Sequence, residues 1–166
     1  MRVAVEFAQQ TGALAEQLLR RHQLLAAAES CTGGWLAKAC TDRAGSSGWF
    51  ERGFVTYSNA AKQELLGVSA ATLDRHGAVS REVVLEMVTG ALTCSRAHWA
   101  VAISGIAGPG GGTEQKPVGT VWFGWAGPGD WQLAQKARFE GDRDAVRHQA
   151  VAAALQVLLQ RLIELS

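Results

Sequence analysis

Glu29, Ser30, Cys31 and Thr32 stand side by side in the stretch AESCTGGW, followed by Gly33 and Gly34. An acid, two hydroxyls and a thiol thus fall where a short apolar run gives way to a helical pattern. A strand that turns sharply into a helix aims several backbone N–H groups at one point, and the helix dipole makes that point attractive to negative charge. A hydroxyl placed there can attack a carbonyl, and the neighbouring N–H groups can stabilise the resulting oxyanion. The G-x-S-x-G pattern of a nucleophile elbow is absent. On local spacing alone three readings stand: a helix cap, an anion cradle and a nucleophile.

Two other stretches carry chemistry. In TYSNAAK, Tyr57 ends a predicted strand, Asn59 or Ser58 can cap a helix, and Lys62 falls in its first turn. A cation is disfavoured at a helix N-terminus. The placement suits an amine that is meant to be neutral and to act as a base, although a plain surface lysine reads the same way. In SGIAGPGGGTEQKP, Ser104 stands at a strand end, and a glycine-rich loop follows through Gly105 and Gly108 to Thr113. Glycines permit close backbone approach to a ligand. The loop is neither a Walker loop nor G-x-G-x-x-G, so a simple crossover is the competing reading. Arg143 and Arg147 open the last helical segment and can reach a phosphate, or can be solvated.

The elements that must position these residues follow from periodicity. Residues 5–22 form an amphipathic helix, LLAAAE a buried strand, and residues 33–41 a helix. GFVTYS is strand, NAAKQELL a short helix stopped at Gly67, and Ser69 opens another. Ser80 caps a longer helix reaching about Arg96, and HWAVAISG is the next buried strand. Two strands flank Gly127-Pro128-Gly129-Asp130 as a hairpin, and Asp142 or Asp144 caps the final helix. The fold expected is three-layer α/β/α: a mixed, mostly parallel sheet with a C-terminal β-hairpin followed by a long helix, in a single domain spanning 1–166. Val151, Leu155, Leu158, Leu162 and Leu165 make one seam on the last helix, which packs within the protomer or across a two-fold axis; a homodimer is expected.

Composition narrows the function. The chain has 166 residues, 16 Lys and Arg against 15 Asp and Glu, and no basic run, so nucleic acid is not an expected partner. No apolar stretch suits a membrane span or a signal peptide, and a cytoplasmic protein is expected. Cys31, Cys40 and Cys94 are spaced for neither a disulfide framework nor zinc; Cys40 and Cys94 read as small core residues. His22, His76, His98 and His148 are scattered, lack a metal-ligand spacing and read as surface or structural residues, so they offer no metal site; no cofactor is expected either. Six tryptophans without a basic groove read as core or interface residues.

Taken together, AESCTGGWLAK, FERGFVTYSNAAK, HGAVS, AISGIAGPGGGTEQKPVGTVWFG and GDRDAVRHQA closely resemble the CinA C-terminal domain family. The resemblance is closest to its stand-alone nicotinamide-nucleotide amidohydrolases, and covers about residues 10–160. It implies hydrolysis of the carboxamide of nicotinamide mononucleotide (NMN) to nicotinate mononucleotide and ammonia, by a serine–lysine mechanism without a metal. Carried over, the nucleophile falls on Ser30, the base on Lys62, and an active-site tyrosine on Tyr57. Glu29, Cys31, Thr32, Gly33, Asn59, Ser104, Gly105, Gly108, Thr113 and Arg143 are the candidate substrate-binding residues. The N–H groups near Cys31 and Thr32 are candidates for the oxyanion hole, and Glu29 for orienting Lys62 or balancing the substrate's pyridinium. A non-catalytic nucleotide-binding module, or a partner of competence or DNA-damage proteins, is the alternative.

Overall fold

The computed structural model describes residues 2–166, with side chains from Glu6 onward. Its elements run α1 (Arg2–Arg21), β1 (Leu25–Glu29), α2 (Trp35–Thr41), a 3-10 turn at Ser46–Gly48, β2 (Phe50–Val55) and α3 (Asn59–Leu66). There follow α4 (Ala70–His76), α5 (Arg81–Thr93), β3 (Trp99–Gly105), β4 (Thr120–Gly127), β5 (Trp131–Arg138) and α6 (Arg143–Glu164).

The strands form one sheet in the order β2-β1-β3-β4-β5. β1 pairs parallel with both β2 and β3, while β4 is antiparallel to β3 and β5. Only β4 therefore runs against the other four, as expected of a mostly parallel sheet ending in a hairpin. β1 is buried along its whole length, as a central parallel strand covered on both faces should be.

Side chains alternate across the sheet and so divide the core in two. Trp99, Val101 and Ile103 of β3 face the layer of α1, α2 and α6; Ala100 and Ala102 face α5. The small residues on that second face let α5 lie close to the sheet. At Gly124 of β4 an added Cβ would stand 2.6 Å from the Val84 carbonyl oxygen. At Gly90 of α5 it would stand 1.9 Å from Leu66 O, so this glycine sets the approach of α3, the helix that carries Lys62.

The seam on α6 lies inside the protomer: Val151, Leu155, Leu158 and Leu162 are buried in the first core and only Leu165 is exposed. The seam is thus consumed by packing within the chain and supplies no two-fold surface. β2 begins and ends three residues before the expected strand, because its pairing with β1 stops at Val55. α5 stops at Thr93, with Cys94 as its C-cap; Cys94 is exposed, against the expectation of a core residue, whereas Cys40 is buried as expected. Among the described residues no helix is long and apolar enough to cross a membrane.

Candidate active site

The carboxyl ends of β1, β2 and β3 bring together a group of buried polar residues: Glu29, Ser30, Thr32, Thr56, Lys62 and Ser104. Such ends are where open α/β sheets bind ligands. Ser30 follows β1 directly, and its backbone N–H is spent on Ile103 O of the neighbouring strand. The turn then reverses through Gly33 (φ 60°) and Gly34 (φ 101°), conformations that favour glycine, and α2 begins at Trp35.

Glu29 builds this turn. It is fully buried, and its carboxylate accepts from Thr32 Oγ1 (2.7 Å), Leu36 N (2.8 Å) and Ala37 N (3.0 Å). It satisfies the open N–H groups at the start of α2, where the dipole also favours an anion. The expectation that Glu29 orients Lys62 or faces the substrate's pyridinium is therefore corrected: its carboxylate is occupied on the α2 side. Thr32 is held beneath the turn by the same contact.

Lys62 comes from the second turn-to-helix junction. Ser58, not Asn59, caps α3, its Oγ accepting from Ala61 N at 3.0 Å. Lys62 is 1% exposed, although it is a lysine near the start of a short helix. Its side chain runs back beneath the turn. Nζ lies 3.0 Å from Ser30 Oγ, 2.9 Å from Thr56 O and 3.1 Å from Tyr57 O. Among the described residues it forms no ion pair. Burial without a counter-charge lowers its pKa from the ordinary lysine value.

A neutral amine in this position has two hydrogens for the two carbonyls and a lone pair for the Ser30 hydroxyl. An ammonium can donate to all three oxygens. The same geometry serves both protonation states, so a proton can pass from Ser30 Oγ to Nζ and back without rearrangement. Cys31, the neighbouring thiol, is unsuited to attack: burial pushes its pKa up to about 11, so it stays protonated near neutrality. The backbone N–H groups of Cys31 and Thr32 have no acceptor among the described residues.

A cavity of about 250 Å³ opens onto this pair. Of the expected residues, Ser30, Cys31, Tyr57, Asn59, Lys62, Ser104, Gly105 and Arg143 line it. Tyr57 contributes its carbonyl to Lys62; the residue is 62% exposed at the rim, and its phenol oxygen accepts from Arg143 Nη2 at 3.2 Å. Arg143 Nη1 donates to Gly108 O (2.8 Å), so the arginine ties the glycine-rich loop to Tyr57 across the mouth. Glu29, Thr32, Gly33, Gly108 and Thr113 do not line the cavity; Glu29 and Thr32 are fully buried in the turn that Gly33 shapes, and exposed Thr113 closes a local turn with Lys116. Ala78, Val79 and Ala107 line it without having been singled out, since small apolar side chains carry no chemical signal. The role of Thr56 lies in its carbonyl, which no side-chain pattern reveals. Among the described residues no cluster of His, Cys, Asp and Glu suits a metal ion.

The fold and the site together define an α/β protein with a buried hydroxyl–amine pair at the carboxyl ends of its parallel strands. The chain belongs to the CinA C-terminal domain family, which matches residues 8–162. It is 55% identical over 159 residues to nicotinamide-nucleotide amidohydrolase PncC of Escherichia coli K12, covering 96% of each chain. The protein of the same name in Pseudomonas putida is 54% identical over 147 residues, covering 89% of this chain and 91% of that one. Among solved structures, the competence/damage inducible protein CihA from Agrobacterium tumefaciens superposes with a TM-score of 0.91 at 42% identity, over 93% of this chain and 94% of that one.

Proposed function

We propose that this protein hydrolyses the carboxamide of NMN to nicotinate mononucleotide and ammonia. The observation that carries the chemistry is the buried contact of Lys62 Nζ with Ser30 Oγ at 3.0 Å. The names of the relatives supply the substrate.

In this reading Ser30 Oγ attacks the amide carbon while neutral Lys62 accepts its proton. The oxyanion sits against the free N–H groups of Cys31 and Thr32. The Lys62 ammonium then gives its proton to the departing nitrogen, ammonia leaves, and an ester to Ser30 remains. Water attacks that ester with Lys62 again as base, and the carboxylate product and free Ser30 result. Serine–lysine pairs of this logic recur on unrelated folds. The substrate's pyridinium, held in a small cavity with Lys62, opposes protonation of the amine, so bound substrate favours the basic form.

The test is ammonia release from NMN by the purified protein. Wild type should release one ammonia per nicotinate mononucleotide formed, and Ser30→Ala should lose nearly all of it. No release by wild type would leave a nucleotide-binding module in place of an enzyme.

A further inference from the structure

Arg147 lies outside the cavity, yet it holds the turn that follows the Ser30 nucleophile. Nε donates to Cys31 O at 3.0 Å and Nη2 to Thr32 O at 3.2 Å. Its guanidinium carbon stands 5.6 Å from the ring centre of Trp35, the first residue of α2. A Cβ added at Gly33 would stand 3.4 Å from Nη2, in ordinary van der Waals contact, so the turn and the guanidinium are neighbours. The helix α6 thus reaches across to two successive carbonyls of β1–α2 with one planar fork.

We propose that Arg147 is a positioning residue that builds the oxyanion hole from behind. The inference rests on the Ser30–Lys62 reading above. A trans peptide is planar, with its C=O and N–H on opposite sides. Pinning Cys31 O toward Arg147 therefore fixes the Thr32 N–H in the opposite direction. Pinning Thr32 O does the same for the Gly33 N–H, which is closed onto Ser30 O at 3.1 Å. Thr32 O also accepts from Trp35 N at 3.1 Å, so the fork matters most at Cys31 O, which has no other donor among the described residues; without it the Cys31–Thr32 peptide can tilt and turn its N–H away from where the oxyanion must form. A cation on the carbonyl also polarises the peptide and makes its N–H a better donor. Lysine has no fork and cannot hold both carbonyls in one plane.

The experiment compares wild type with Arg147→Met and Arg147→Lys. Loss of one oxyanion donor costs about 10²–10³-fold in kcat. Arg147→Met should accordingly lose about 10²-fold in kcat with KM changed by less than about threefold, and Arg147→Lys should fall between it and wild type. The pH midpoint of the rate should stay where Lys62 sets it. A second readout is the affinity of pyridin-3-ylboronic acid, whose boron takes Ser30 Oγ and becomes tetrahedral. That affinity should fall in step with kcat, while the affinity for nicotinate mononucleotide holds. The proposal is overturned by a kcat near wild type in Arg147→Met, by a loss confined to KM and product affinity, or by unchanged boronate affinity. If Arg147→Met does not fold, the same split read in Arg147→Lys decides. A wild type that releases no ammonia defeats the amidase reading alone, because boronate binding to wild type and variants still tests the role of Arg147.

Discussion

Replacing Glu29 by glutamine separates a structural carboxylate from a substrate-binding one. The wild-type carboxylate takes three hydrogen bonds while fully buried. Glutamine keeps the shape. Its carbonyl oxygen can still accept from Thr32 Oγ1 and Leu36 N, now as a neutral partner and so with roughly half the strength of each bond. Its NH2 group then faces the Ala37 N–H, donor against donor, and leaves that group unsatisfied at a cost of about 1–3 kcal/mol. Loss of the anion at the start of α2 removes about another 0.5–1 kcal/mol. The total is about 3 kcal/mol, and at roughly 2–4 °C per kcal/mol for a chain of this size Tm should fall by about 6–12 °C. Thermal unfolding read by circular dichroism gives the number, and ammonia release on the folded variant gives kcat and KM. Because the carboxylate faces α2, the kinetic loss should fall on kcat, through a loosened Ser30 turn. A Tm within 2 °C of wild type, or a raised KM with kcat intact, would refute this account of Glu29.

Three further outcomes follow from the same structure. Lys62→Met should abolish activity, and its stability relative to wild type should be most favourable at low pH, where removing a buried charge best offsets the lost hydrogen bond to the buried Thr56 carbonyl. The sign follows from the lowered pKa: between the folded value and about 10.4 the unfolded chain holds a proton that the folded one has lost, so wild-type stability rises with pH across that window and the variant compares less well as pH rises. Lys62→Arg should be as inactive as Lys62→Met, since a guanidinium stays charged, and wild-type kcat/KM should rise with pH to a plateau reached below the titration of a free lysine. Cys94 should react quickly with a thiol reagent while buried Cys31 and Cys40 resist until unfolding, and Cys31→Ala should keep substantial activity; equal labelling of all three in the native protein would contradict the burial described.

Much of the architecture was legible because its signals are local. The unbroken apolar run of β1, the caps at Ser69, Ser80 and Asp142 and the Gly127–Asp130 hairpin each stand in a few consecutive residues. At Lys62 the sequence showed an electrostatic conflict, a cation at a helix start, but left a plain surface lysine open, and only the folded chain shows the side chain buried. What stayed hidden depends on contacts distant in sequence. Nothing near Arg147 tells that its partners are Cys31 and Thr32, more than a hundred residues earlier. Glu29 looked like a ligand because an acid beside Ser30 suggests chemistry. Its use on α2 appears only once the Gly33–Gly34 turn folds the helix back over it. The α6 seam was read correctly as a packing face, but periodicity does not say whose core it meets.

The most direct test of the account is to look for the ester it requires. Wild type mixed with NMN, quenched in acid within the first turnovers and digested, should give a peptide containing Ser30 heavier by NMN less ammonia. Hydroxylamine should release the adduct as the hydroxamate, and Ser30→Ala should yield none. The same mass carried by Cys31, or undiminished turnover of NMN by Ser30→Ala, would contradict Ser30 as the nucleophile.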